Sequence, residues 1–589
     1  MISKTIIIAI VLLMFVAMIM EIRHPSLIAF TALIIFFILG YISTLDIMRM
    51  VSNEGVLTLA LLFLITSVIE RTGVIDSLLQ KILKKTKSGK GALASLTFPL
   101  VGMSAFFNNT PIVIMMISSL QDWCNKRNIN ASKLLLPVSY ATIFGGMFTI
   151  IGTSTNLVVH GWLVEKGLRG FSFFELAPYA ALGAIFGVIY LLTIGYKLLP
   201  ENETTIENRY NEGREFLYEA EIEKGCTLID KTVTSREFQR LDGVYLLKII
   251  REKEEISPIS LLEKIKEKDI LVFTGTIEGL ERIGKIDNLL IKTGADISIN
   301  SLESDDSKLI EGVVSHDAPM LHRKIKYSDF RTKYDASIVA VHRNNEAINK
   351  NIGEVIVKPG DVLLMLAGDR FEELAYKNND FYTLTSLPKR KMLSKKQVIL
   401  SISGFFAMIM TVTLGFLTMF EAALILTTLF LLFNFFDKEK MKDSMHFEVL
   451  LLIVSSLGIG FVIESSGTAD LIANSIISLV AESFGVIGLL VSVYLVTNIL
   501  TEIVTNTAAA VIVLPIAIKI AEYISIEPTM LAIVVAIAAS ASFSTPIGYQ
   551  TNLIVYGPGG YKFSDYLKVG LPLNLIFLVM TISAVYFFM

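Results

Sequence analysis

Two cysteines and six histidines in 589 residues leave little material for redox or metal chemistry. Cys124 and Cys226 cannot form a disulfide framework or a cysteine-based metal site. His316, His322 and His342 lack metal-type spacing, and His160 reads as a packed or interfacial residue rather than a ligand. No catalytic nucleophile motif and no phosphate-cradling loop occurs, which argues against an enzyme. No Thr-Val-Gly-Tyr-Gly filter occurs either, which argues against a potassium channel. Charge is scarce only in places: residues 1–200 and 396–589 have little of it and 201–395 have much, so the 18% charged content averages two unlike regions. The apolar N-terminus lacks a small-residue cleavage site and runs straight into a second apolar stretch, which fits a retained span rather than a signal peptide.

What remains is apolar. A hydrophobic content of 53% and a mean hydropathy of +0.61 place the chain in the membrane class. Runs long enough for a hydrocarbon core of ~30 Å lie near 4–21, 26–45, 53–70, 134–166, 175–196, 396–415, 417–436, 447–465, 529–556 and 567–588. Two more, 91–121 and 484–520, are each bisected by a polar motif that leaves arms too short to cross, so they read as re-entrant hairpins. The positive-inside rule agrees, because a hairpin at 91–121 keeps the basic clusters at 81–90 and 126–133 on one face with those at 389–396 and 438–442. That face is cytoplasmic and holds 201–395. Val68-Ile69-Glu70, Gly73 and Asp76 return as Val462-Ile463-Glu464, Gly467 and Asp470, and the later motifs return at nearly the same offset. Span counting sets the two copies in opposite orientations, an inverted repeat with its site between the halves.

The expected fold is therefore an α-helical polytopic membrane protein of two inverted repeats, each with a re-entrant hairpin and a broken helix. The charged insert repeats itself as well. Alternating β patterns around 213–289 and 303–379, a turn at Lys358-Pro359-Gly360-Asp361 and closing helices predict tandem α+β cytosolic domains. The divisions expected are 1–200, 205–290, 300–382 and 396–589.

Four polar intrusions mark the candidate site: 104–116 with Asn109-Thr110, 152–157 with Thr155-Asn156, 501–515 with Asn506-Thr507, and 545–553 with Thr551-Asn552. Neutral amides and hydroxyls in lipid are costly unless satisfied, and they can coordinate an ion without adding a permanent charge. Carbonyls at a helix break attract cations and helix N-termini attract anions. Asn and Thr also join spans by hydrogen bonds, but four motifs in a matched pair favour binding. Glu70 and Glu464 read as structural, and Glu502 as a hydrogen-bonding partner of the second hairpin.

Ser104, Asn108-Asn109-Thr110 with GGMFTIIGTSTNL, and Thr501 with Thr505-Asn506-Thr507, resemble the paired Ser-Asn-Thr signatures of the divalent anion/sodium symporter family. The resemblance implies a first sodium site from Ser104, Asn108, Asn109, Gly145 and Gly146. It implies a second from Thr501, the Val504 carbonyl and Asn506, completed by Ser544, Thr545 and Gly548. Asn109, Thr110, Asn506 and Thr507 would face the anion, with Thr155, Asn156, Thr551 and Asn552 at the breaks. Asn108 and Thr505 replace the leading serines, and Thr-Ser-Thr-Asn and Tyr-Gln-Thr-Asn replace the usual breaks.

The TPIGYQTNLIVYGPGGY run and the insert resemble a sulfate-type subgroup whose halves are separated by modules like the C-terminal regulatory domain of potassium-uptake proteins (TrkA-C). That implies a homodimer in the cell membrane, no nucleic-acid partner, and a small-molecule regulator such as cyclic di-AMP at the modules. Sodium is the expected coupling ion, because the hairpin arms lack buried acid pairs. Sulfate is preferred to a dicarboxylate; proton coupling, a regulated channel and a non-transporting anion sensor are the competing readings.

Overall fold

The computed structural model describes residues 2–202, 216–232, 244–275, 286–292, 307–384, 393–436 and 445–588, apart from single positions and short stretches within those spans. His316, the basic residues at 389–392 and 438–442, and most of the closing helices expected after each β pattern lie outside the described residues.

The fold is helical and polytopic. Among the described residues seven helices are long and apolar enough to cross a membrane: Thr44–Glu70, Ala177–Leu198, Lys395–Thr413, Phe447–Ser465, Ser483–Thr501, Asn506–Ile524 and Phe563–Phe588. Shorter apolar helices such as Pro25–Ile38 and Met419–Leu432 pack among them. The two expected hairpins are present. Gly89–Ser104 turns into Asn109–Asn125, and Ser483–Thr501 turns into Asn506–Ile524. One expectation about them is corrected. The second tip uses only residues 502–505, so its arms keep 19 residues each. At 1.5 Å per residue that is ~28 Å, about the thickness of the hydrocarbon core.

Both interrupted spans are broken as expected. Leu135–Gly146 resumes as Ser154–Glu165, and Pro528–Ser540 resumes as Gln550–Tyr556. The halves also share a feature the sequence pattern shows only as matching glycines. Gly73 and Gly467 hold φ of 64° and 69°, a left-handed conformation that costs glycine least. Each turns a long helix into an amphipathic one, Val74–Lys85 and Thr468–Ala481.

The insert forms two five-stranded antiparallel sheets. The first is built from β1 (Phe216–Ile222), β2 (Val244–Arg251), β3 (Glu254–Ile256), β4 (Ile270–Gly275) and β5 (Leu289–Lys292). The second is built from β6 (Ser307–Val314), β7 (Ala336–Arg343), β8 (Glu346–Ala347), β9 (Val362–Gly368) and β10 (Phe381–Leu384). Their orders, β3-β2-β4-β1-β5 and β8-β7-β9-β6-β10, are the same order copied. The irregularities are copied too: register shifts at Leu246/Lys248 and Ile338/Ala340, and bridges Thr232–Lys264 and Lys324–Ile356. Leu247 and Val272 of one sheet pack on Val339, Ala340, Leu364 and Leu366 of the other, sealing the two face to face.

Each sheet is pinned by one ion pair in the same place. Arg251 binds Asp269 through Nε and Nη2 at 2.9 and 2.8 Å, and Arg343 binds Asp361 in the same way at 2.7 Å for both bonds. Arg343→Ala leaves the Asp361 carboxylate buried without its cation. The loss is expected to cost about 2 kcal/mol, less than for a fully buried pair because the guanidinium is partly exposed. Limited proteolysis should then cut within 307–384 under conditions that spare the wild type; an unchanged cleavage pattern would contradict this account of the sheet.

Candidate functional site

Breaking a helix inside an apolar bundle frees backbone carbonyls that need donors. The same side chain supplies them in both halves. Asn156 Nδ2 donates to the carbonyls of Gly146 (3.2 Å) and Thr149 (2.8 Å). Asn552 Nδ2 donates to those of Ser542 (3.0 Å) and Thr545 (3.2 Å). Each Asn therefore closes its own break and fixes the loop ahead of it.

The loop then holds the hairpin tip. Thr149 Oγ1 donates to the Ala105 carbonyl and accepts the Gly152 N–H at 3.1 Å. Thr545 Oγ1 donates to the Glu502 carbonyl at 2.9 Å and accepts the Gly548 N–H at 3.0 Å. Across each tip one hydroxyl meets one amide: Ser104 Oγ donates to Asn109 Oδ1, and Thr501 Oγ1 lies 2.8 Å from Asn506 Oδ1 and 2.6 Å from the Ala539 carbonyl. Asn108 and Thr505 cap the helices that leave the tips, accepting from Thr110 N and Ala508 N. The residues expected at the first sodium site are brought together, with the Asn108 side-chain oxygen engaged as a cap.

Glycine is needed where tip and break meet. A Cβ on Gly145 would lie 2.2 Å from the Val101 carbonyl, one on Gly146 3.0 Å from both amide atoms of Asn109, and one on Gly152 2.5 Å from the Gly146 carbonyl. These closures leave no room for a side chain.

The halves join at the site. Asn109 Nδ2 donates to Tyr549 OH at 2.6 Å, Tyr549 OH lies 3.4 Å from Thr153 Oγ1, and Thr110 Oγ1 donates to Gln550 Oε1 at 3.1 Å. Ser139 Oγ lies 2.8 Å from both Thr551 Oγ1 and Asn552 Oδ1. The first tip thus contacts the second break directly. The second arm, Asn506–Ile524, packs against Ser154–Glu165, which carries Thr155 and Asn156. There Thr155 Oγ1 is buried without a hydrogen-bond partner. Asn109 is fully buried under the tyrosine, whereas Asn506 is only half-buried.

Sequence reasoning noted Tyr549 and Gln550 as departures from a pattern but gave them no role. It expected Glu502 to bond its own hairpin. Instead Glu502 Oε1 accepts from Phe543 N (3.0 Å) and Ser544 N (2.9 Å) in the facing break, and from Asn574 Nδ2 (2.8 Å) on the last helix. Its Oε2, Ser542 Oγ and Asn574 Oδ1 are buried with no hydrogen-bond partner. Residue 105, the counterpart of Glu502, is alanine. Only the second tip therefore carries an acid. Oxygen atoms with free lone pairs suit a small hard cation, and among the described residues no three His, Cys, Asp or Glu side chains gather as a transition-metal site. Glu464 pairs with Lys166 at 2.7 Å, in keeping with a structural role.

A family model described as a citrate transporter matches residues 15–536 and, in a second match, 486–589. A Synechocystis protein named an uncharacterized transporter is 31% identical over 93% of this chain and 91% of its own. A Chlamydomonas reinhardtii protein provisionally named a sulfur deprivation response regulator is 29% identical over 94% of this chain and 96% of its own. Sodium/sulfate cotransporter 1 of the same alga is 23% identical over 88% and 82%.

The packing yields a paired test. Gly145→Ala should strain the first tip by about 1–3 kcal/mol and lower the thermal stability of the purified protein. Gly102 lies on the arm of the same hairpin with nothing within 4 Å of a Cβ, so Gly102→Ala should be neutral. Equal melting temperatures for the two variants would rule out the described contact.

Proposed function

Because the chain belongs to the citrate transporter family, we propose that it is a secondary active carrier coupling sodium entry to uptake of a divalent anion, with sulfate the first candidate. The observation that carries this reading is the twin closure of tip on break, in which neutral hydroxyls, amides and carbonyls crowd two places related by the internal repeat. One sodium ion at Ser104, Asn109, Gly145 and Gly146, and one at Thr501, Val504, Asn506, Ser544, Thr545 and Gly548, would tie each tip to its facing break. The anion would lie between Asn109-Thr110 and Asn506-Thr507, near the N-termini of the helices that leave the tips.

The energetics favour more than one cation. Moving a dianion against 100 mV costs ~4.6 kcal/mol, at ~2.3 for each charge, and two sodium ions cancel it. Glu502 adds a fixed negative charge beside the second place, which favours a cation there. Sulfate is preferred because the four motifs offer neutral donors and no arginine, and because two of the relatives have sulfur or sulfate in their names. A di- or tricarboxylate is the second reading, supported by the description of the family. Proton coupling would have to pass through Glu502, the acid at the second tip.

The remaining organisation follows the same proposal. The halves 1–200 and 396–589 form inverted repeats in the cell membrane of a homodimer. Modules 205–290 and 300–382 are cytoplasmic TrkA-C-like regulators with a small-molecule ligand such as cyclic di-AMP.

Uptake of labelled sulfate, succinate and citrate into proteoliposomes should show one sodium-dependent substrate. Unchanged flux with choline in place of sodium at fixed pH would refute sodium coupling. Asn109→Ala and Asn506→Ala should each weaken both sodium and anion dependence by about tenfold, as expected for the loss of hydrogen bonds to charged ligands at ~1.5 kcal/mol. Wild-type dependence in both variants would remove these residues from the site.

A further inference from the structure

The duplicated insert contains its own control. Both sheets carry the same turn, Lys266-Glu267-Lys268-Asp269 in the first and Lys358-Pro359-Gly360-Asp361 in the second. The framework is identical. Lys266 N and Lys358 N each donate 2.8 Å to the turn's own aspartate, and that aspartate is clamped by the arginine of the neighbouring strand. The third residue is left-handed in both, with φ of 69° at Lys268 and 79° at Gly360. Lys268 is exposed, whereas Gly360 is buried.

The second turn is covered by the transport half. A Cβ on Gly360 would stand 3.2 Å from Leu553 Cδ1, and one on Gly557 2.4 Å from Val362 Cγ2 and 3.5 Å from the Gly360 carbonyl. Leu553 directly follows Thr551-Asn552 in the short helix Gln550–Tyr556, so the turn presses on the element that holds the second break. Three further contacts converge on the same region. Strand β10 packs against Asn109–Asn125, the helix that begins with Asn109-Thr110. On that helix Gln121 Nε2 donates to the Pro558 carbonyl at 3.4 Å. Asn202, where the chain leaves the first half, donates from Nδ2 to the Gly560 carbonyl at 2.5 Å.

We propose that the second sheet's turn is a latch on the transport unit: seated between Leu553 and Gly557, it holds the short helix and the first hairpin together in one conformation, and it must lift for the carrier to turn over. The proposal rests on the carrier reading above and on no particular substrate. A rigid turn suits the task, because its aspartate–arginine clamp and left-handed glycine leave it few other shapes. The short helix suits it as well, since at seven residues its position is set by packing. Any change in how the two sheets pack would then reach Thr551-Asn552 through one turn of helix, without a ligand entering the membrane.

The seat can be locked. A Cβ on Gly557 would lie 3.9 Å from Val362 Cβ, inside the ~3.5–4.5 Å that a disulfide spans. In full-length protein carrying Val362→Cys and Gly557→Cys, oxidation should form the bond and reduce uptake about tenfold or more, with recovery on reduction. Whichever of labelled sulfate, succinate or citrate the wild type carries is the probe. Full uptake by the oxidised protein, or failure of the bond to form in folded protein, would overturn the latch. Gly360→Lys gives the second turn the residue of the first and should unseat it; uptake at or above the wild-type rate is expected. Loss of uptake together with a lowered melting temperature would make the contact a scaffold and overturn the latch too. Hydrogen exchange at 550–556 reads the seat without any substrate, so it separates failure of the latch from failure of the carrier reading. Oxidation should raise protection there, and unchanged protection would overturn the proposal.

Discussion

A broken helix in an apolar interior is tolerable only if the carbonyls it frees are answered, and here one amide in each half answers two of them. Asn156 and Asn552 each reach back across the gap in their own helix. With that gap fixed, the threonine of the loop can grip the hairpin tip, the glycines can let tip and loop meet without side chains, and the hydroxyl and amide of the tip can face each other. If the Asn bonds are removed, everything downstream loses its reference point. The chemistry of the site therefore depends on a structural bond made away from it.

Much of this was legible in the sequence for one reason: polar residues inside apolar runs stand out, and duplication shows them twice. The Asn-Thr pairs, the flanking glycines and the two interruptions follow from composition and offset alone. The hairpin arms were misjudged because a bisected run looks shorter than it is; only residues 502–505 are spent on the second tip. The amphipathic helices after Gly73 and Gly467 were visible only as matching letters, since a glycine does not announce its φ. Contacts between halves were not legible at all. No periodicity tells that Tyr549 reaches Asn109, or that Glu502 spends one oxygen on the backbone of the opposite loop.

The copies have diverged where they meet. Thr153 and Tyr549 occupy matching positions, yet the tyrosine crosses to the other half and covers Asn109, leaving Asn506 more open. Ala105 and Glu502 also match, and only one carries charge. Symmetry thus governs how each half is built, while the interface between them is asymmetric in both shape and electrostatics.

The face-to-face sheets of the insert lie in a single chain, with the second following the first after a short connection. Their pairing is therefore an intramolecular event, governed by a linker-set effective concentration and independent of how much protein is present. One pair is supplied with every transport unit. Dilution in the membrane cannot separate regulator from carrier, and a rise in expression changes the number of units without changing the fraction whose sheets are paired.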